Sequence, residues 1–204
     1  MNFWDKIAGL YDIAESLNRR AYKAMLNGVR AVVPEGAKVL DCAAGTGELS
    51  IAAAEKAGTV LCTDLSLSML EVARKKCRKM GIPNIRFEER NIFALDDADD
   101  TYDIVIAGNV LHLIDDPQKA VKELARVVKN GGKLILPTFM TKENGRLPLL
   151  LKLYSLVGFH AAKHYNSSEY KKMLDSCGVG RVKVTVLKGA FPVAFGVIKV
   201  NKTV

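Results

Sequence analysis

Short apolar runs alternate along the chain with longer segments whose apolar residues recur every three or four positions. The runs at 38–41, 59–64, 84–89, 103–108 and 133–139 predict strands, and 103–108 is apolar throughout, like a strand buried on both faces. The segments between them predict helices. Glu48 opens one that carries Leu49, Ile51, Ala52 and Ala53 and ends at Gly58. Ser66 caps a second, with Met69, Leu70, Ala73 and Cys77 turned inward and Gly81 as its stop. Asp115 or Asp116 caps a third, Pro117 stands in its first turn, and Asn130, Gly131 and Gly132 close it. Ahead of these, residues 3–33 read as helical, with Ile7, Leu10, Tyr11, Ala14, Leu17, Tyr22, Met25, Leu26 and Val29 at helical spacing.

Strands that alternate with helices at this spacing build a parallel α/β sheet. The carboxyl-terminal part breaks the alternation. Residues 168–177 predict a helix stopped by Gly178, and 181–187 and 195–200 predict two strands. The connection between those strands is too short for a crossover, so they pair as an antiparallel hairpin added to the sheet edge.

Composition bounds the function more than the fold. With 204 residues, 49% of them hydrophobic, the chain suits a single domain with a real core, and no internal repeat is visible. No apolar run approaches ~18 residues and the first residues do not read as a signal peptide, so a cytoplasmic protein is expected. The four cysteines form no C-x-x-C pair, which argues against an iron–sulfur enzyme; Cys42 and Cys62 read as small buried hydrophobes. No metal is expected: the acidic run at 96–100 matches no calcium loop, and His160 and His164 lack a third ligand. The net charge of +8 is carried by the last part of the chain, where eleven Lys and Arg face three Asp and Glu from Lys142 onward. Such a tail suits peripheral contact with an anionic membrane, or is simply a solvated face; no nucleic-acid motif accompanies it.

The candidate chemistry sits where the first strand ends. Asp41 is followed by Cys42, Ala43, Ala44, Gly45, Thr46 and Gly47, a turn of small residues that leads into a helix. A strand, a glycine turn and a helix form the ligand crevice of doubly wound sheets. A dinucleotide site wants G-x-G-x-x-G, but Ser50 occupies the third glycine position, and the Asp41 carboxylate would repel a pyrophosphate. A ligand without phosphates, carrying an ammonium and a sulfonium, suits Asp41 better.

Residues 41–47 resemble motif I of class I S-adenosylmethionine-dependent methyltransferases, D-x-G-x-G-x-G. The resemblance implies an α/β Rossmann-like three-layer sandwich with a mostly parallel seven-stranded sheet, order 3-2-1-4-5-7-6, strand 7 antiparallel. It implies an amino-terminal helical cap (1–33), a cofactor-binding core (34–140) and an acceptor-side insertion with the hairpin (141–204). It further implies that Asp41, Ala43, Gly45 and Gly47 make room for the methionine and ribose, and that Asp64 holds both ribose hydroxyls. Leu65, Met69, Ile92 and Phe93 would belong to the cofactor site, the last two flanking the adenine. Asn91 stands where most members carry an Asp for the adenine amino group, and Asn109 opens a segment facing the methionine part and the substrate. Ala43 in place of the first glycine, together with residues 3–12 and Asn18, is similar to the ubiquinone/menaquinone-biosynthesis branch, in which Tyr11 would close over the methionine moiety.

The resemblance implies methyl transfer from S-adenosylmethionine, with S-adenosylhomocysteine as product, to a small acceptor. A lipophilic, quinone-precursor-like acceptor is favoured; a phospholipid or small-amine N-methyltransferase and a non-catalytic cofactor-binding regulator remain alternatives. His112, on a segment leaving a strand's carboxyl end, is the candidate general base. The leucine-rich stretch 147–159 reads either as part of a greasy acceptor pocket or as a plain buried helix. Monomer and homodimer are both open.

Overall fold

In the computed structural model, strand β1 (Lys38–Cys42) is buried from Val39 onward and lies in the interior of the sheet. The structure describes residues 18–140, 163–189 and 191–202. β1 pairs in parallel with β2 (Thr59–Asp64) on one side and β4 (Tyr102–Ile106) on the other. Outside them lie β3 (Ile85–Glu89), parallel to β2, and β5 (Val128–Phe139), parallel to β4. β7 (Val193–Val200) is antiparallel to both β5 and β6 (Gly180–Leu187), which completes the order 3-2-1-4-5-7-6.

Successive strand residues point to opposite faces, so each face builds its own core. Val39, Ile104, Ile106 and Ile135 meet helices α1 (Arg19–Val32), α2 (Glu48–Ala54) and α3 (Leu67–Met80). Leu40, Val105, Leu134 and Leu136 meet α4 (Pro117–Val127) and α5 (Ser167–Ser176). α1 lays Ala21, Met25 and Val29 against the first core at helical spacing. Among the described residues, no helix is long and apolar enough to cross a membrane.

The caps explain where most helices begin and end. Ser66 Oγ accepts from the Met69 N–H at 3.2 Å, and α3 stops at Gly81, whose φ of +67° suits glycine. Asp116 accepts from the Lys119 N–H at 2.9 Å with Pro117 following it. α5 starts one residue earlier than its periodicity predicts, because Asn166 and Glu169 close a reciprocal capping box.

Two glycine stops do not occur where the sequence places them. α2 ends at Ala54 rather than Gly58, and Gly58 serves close packing: a Cβ there would stand 2.8 Å from the Gly36 carbonyl oxygen. α4 ends at Val127, not at Asn130, Gly131 and Gly132, which lie inside β5. Val127 and Val128 are both fully buried, and Val128 already pairs with Tyr102, so the chain leaves the helix to enter the sheet. Gly131, with φ of +80°, falls within the irregularity that shifts the β4–β5 register between Tyr102 and Ile104.

Candidate functional site

The carboxyl ends of β1, β2 and β4 supply the site. Asp41 is fully buried at the end of β1, where Ser50 Oγ donates to its Oδ2 at 2.6 Å. Its Oδ1 has no hydrogen-bond partner among the described residues. Burial pushes the Asp41 carboxyl up to about 7; the Ser50 hydrogen bond pulls the other way, and the nearby Asp64 charge adds to the rise.

Beyond Asp41 the backbone turns through left-handed conformations at Ala43 (φ +52°), Gly45 (φ +55°) and Gly47 (φ +81°). At Ala43 this costs about 1–2 kcal/mol, and the surrounding bonds hold it in place. The Ala44 N–H donates to Thr63 O at 2.9 Å, and Thr63 Oγ1 donates to Asp41 O at 3.1 Å. Gly47 then N-caps α2, with no room for a side chain: a Cβ would lie 2.8 Å from Ala73 Cβ. At Gly45 an added Cβ would meet nothing within 4 Å, so the inner side of the turn is an open cradle.

Asp64 fastens this turn to the next one. Its Oδ2 accepts from the Gly45 N–H and its Oδ1 from the Ser66 N–H, each at 2.8 Å. Each carboxylate oxygen has two acceptor sites, so these bonds do not exhaust the group's capacity.

Above the turn lies a small cavity that opens to solvent. It is lined by Ala43, Ala44, Gly45 and Thr46 of the turn, Glu48 and Leu49 of α2, Gly108 and Asn109 after β4, and Tyr22 and Met25 of α1. Asn109 adopts φ +54°, is 8% exposed, and its side-chain oxygen meets no hydrogen-bond partner among the described residues. Among the described residues, the lining holds no Lys or Arg, and its one charged residue is Glu48, paired with Lys76 at 2.7 Å. Acceptors thus surround the cradle, with the Asp41 carboxyl below it. The arrangement favours a cation and disfavours a phosphate.

The structure brings Asp41, Ala43, Gly45, Asp64 and Asn109 together around the turn, with Gly47 supporting it from beneath. Of these, Ala43, Gly45 and Asn109 line the cavity, and Asp41, Gly47 and Asp64 hold the turn from outside the lining; the remaining described candidates lie apart from it. Leu65 is 56% exposed beside Asp64, whereas Met69 is buried in α3. Asn91 is exposed and turns its side-chain oxygen back onto the Phe93 N–H at 2.9 Å, an Asx turn. Ile92 is buried in the core beneath that turn, and Phe93 packs partly against the same core, with the Lys119 ammonium 5.9 Å from its ring centroid. Tyr11 and the stretch 147–159 lie outside the described residues.

His112 is also away from the cavity. It is 4% exposed, its Nδ1 lies 2.9 Å from Thr138 Oγ1, and its backbone oxygen accepts from the Lys163 N–H at 3.0 Å. Burial pushes its pKa down to about 4, with His164 adding to the fall, so the ring is neutral at pH 7.

Sequence reasoning missed Tyr22, Met25, Thr46, Glu48, Leu49 and Gly108 as lining residues. Tyr22 and Met25 were indistinguishable from the apolar stripe of α1. The one available signal was that Tyr22 is the sole aromatic residue in Arg19–Val32.

The family described as "Methyltransferase domain" matches residues 34–182. The ubiquinone/menaquinone biosynthesis C-methyltransferase of Haemophilus ducreyi is 34% identical, over 76% of this chain and 62% of that protein. The chain thus spans just over three fifths of that curated relative's length. Among solved structures, the complex between the Trm112 methyltransferase activator and a methyltransferase from Haloferax volcanii matches with a TM-score of 0.82 and 18% identity, covering 98% of this chain and 97% of that one. An S-adenosylmethionine-dependent methyltransferase from Aquifex aeolicus matches with a TM-score of 0.66 and 21% identity, covering 89% and 90%. At these identities the two structures show a shared fold.

Proposed function

The chain belongs to the methyltransferase-domain family, and from that premise we propose that it transfers the methyl group of S-adenosylmethionine to a small, lipophilic acceptor. The observation that carries the reading is the cradle at Gly45: a left-handed turn lined by acceptors, free of basic residues among the described residues and backed by a buried carboxyl. When bound, S-adenosylmethionine supplies a methyl group already activated by its sulfonium.

Each residue then has a defined task. Asp64 offers acceptors to the ribose hydroxyls while keeping the Gly45 turn in place. Asp41, beneath the turn, sets a negative potential that stabilises a cation above it. Asn109 offers its side-chain oxygen from the wall, and Tyr22 and Met25 cover the cradle and exclude water. Alignment of donor and acceptor in a dry site supplies most of the rate in such a displacement. His112 orients Thr138 and the chain at Lys163, because a buried neutral imidazole is a poor proton acceptor.

Support for a quinone-precursor-like acceptor methylated at carbon comes from the similarity to the Haemophilus ducreyi C-methyltransferase and from the leucine-rich sequence at 147–159. The test is transfer of labelled methyl from S-adenosylmethionine into cell extracts, separated into lipid and aqueous fractions. Label in an aromatic quinone precursor is the expected result. Label only in phospholipid or small amines moves the activity to nitrogen, and cofactor binding without any labelled acceptor points to a non-catalytic protein.

A further inference from the structure

Asn18 directly precedes α1 and is a buried residue, 4% exposed. Asparagine at such a position ordinarily caps its own helix, which contributes about 1 kcal/mol. Here the side chain makes no cap hydrogen bond. It reaches instead across 173 positions of sequence to the backbone of one residue of the β6–β7 connection: Nδ2 donates to Phe191 O at 2.6 Å, and Oδ1 accepts from the Phe191 N–H at 3.2 Å. Both functions of the amide are used on the same residue, as in one rung of a β-ladder.

The clasp has a fixed support on one side and the cavity on the other. Pro192, next to Phe191, accepts from the Met140 N–H at 3.0 Å, which ties the connection to the exit of β5. The Asn18 carbonyl accepts from the Tyr22 N–H at 3.0 Å, so the clasp sits one helical turn from the residue that walls the cavity. Gly189 allows the approach. A Cβ there would lie 2.7 Å from Ala21 Cβ and would collide with Asn18 Oδ1.

Taking the cavity as the S-adenosylmethionine site, we infer that Asn18 is a positioning residue for it: by clasping Phe191, Asn18 fixes the start of α1 and thereby holds Tyr22 over the glycine turn. The helix forgoes an ordinary cap, and the wall of the cavity gains a fixed height above the turn.

The test is calorimetric titration of the full chain with S-adenosylhomocysteine, after near-ultraviolet circular dichroism has shown each variant folded. Loss of two neutral hydrogen bonds of ordinary net worth predicts that Asn18→Ala raises the dissociation constant about tenfold. Gly189→Ala, which displaces the same side chain from the other partner, should raise it similarly and stands in if Asn18→Ala does not fold. On a Tyr22→Ala background the Asn18 substitution should change affinity less than about twofold, since the group it positions is gone. Lowered thermal stability with unchanged affinity in the folded variants overturns the inference, as does a full tenfold effect on the Tyr22→Ala background. If the wild-type protein does not bind S-adenosylhomocysteine, the cofactor reading falls and takes this inference with it; if it binds and the variants match it, only the inference falls.

Discussion

Ser50 Oγ donates to Asp41 Oδ2 across 2.6 Å, and the other oxygen of that carboxyl meets no hydrogen-bond partner among the described residues. The group is half satisfied, and burial raises its pKa from 3.8 to about 7. The folded chain therefore binds more protons than the unfolded chain between those values. Its contribution to stability is full below the lower value and is lost as pH rises through about 7, by on the order of 4 kcal/mol at about 1.4 kcal/mol per unit. Asp41→Asn should remove this slope and leave the variant more stable than the wild type at pH 8. A cation above the turn favours the ionised form, so wild-type affinity for S-adenosylmethionine should fall as pH drops below 7, while the variant's weaker affinity stays flat. Melting temperatures and titrations at pH 5, 7 and 8 check both; parallel curves for the two proteins would refute the assignment.

Asp64 predicts a graded pair. Asp64→Ala removes the acceptors for the Gly45 and Ser66 N–H groups together with those offered to the ribose, whereas Asp64→Asn keeps one oxygen. Charge-assisted bonds contribute about 1.5–3 kcal/mol each, so affinity for S-adenosylhomocysteine should fall about tenfold in the Asn variant and a hundredfold or more in the Ala variant. Reduced melting temperature with unaltered affinity would show that the carboxylate serves the turn alone.

These residues also mark what was legible before the structure. Asp41, Gly45 and Asp64 stand at strand ends and in a tight turn, where residue type is dictated locally by charge and by φ, so the sequence exposes them. The strands and crossovers followed for the same reason, each having its own periodicity, whereas their order in the sheet came from the resemblance. Tyr22 and Met25 depend on where α1 docks, which the apolar spacing of that helix does not encode. Asn91 turns to its own loop and Ile92 to the core, which the sequence cannot reveal because it depends on tertiary packing. Gly131 was misread because a glycine past a helical pattern looks the same whether it stops a helix or relieves a sheet irregularity.

His112 carries a prediction about pH rather than about rate alone. Its pKa falls from 6.5 to about 4 in the folded chain, so the stability it supports is present above 6.5 and lost as pH drops through about 4. The neutral ring should leave no limb of its own in the kcat/KM profile between pH 5 and 8. His112→Gln should lower kcat by about tenfold or less, through the loosened contact at Thr138, with the shape of the profile unchanged. A loss of a thousandfold together with a vanished limb would restore the histidine to proton transfer.

The two glycines of the turn separate folding from binding. Both have positive φ, so alanine at either position costs about 1–2 kcal/mol in backbone strain. At Gly47 the new methyl also meets Ala73 Cβ at 2.8 Å, where neither α2 nor α3 gives way easily, and overpacking of this kind costs a further 1–3 kcal/mol or so. At Gly45 the methyl meets no protein atom within 4 Å and stands in the cradle itself. Gly47→Ala should therefore lower the melting temperature more than Gly45→Ala. Gly45→Ala should show the larger loss of S-adenosylhomocysteine affinity, because the space its methyl occupies belongs to the ligand. Thermal denaturation and calorimetry on the two variants read the two effects separately, and the reverse ordering in affinity would place the ligand somewhere other than on the inner side of the Gly45 turn.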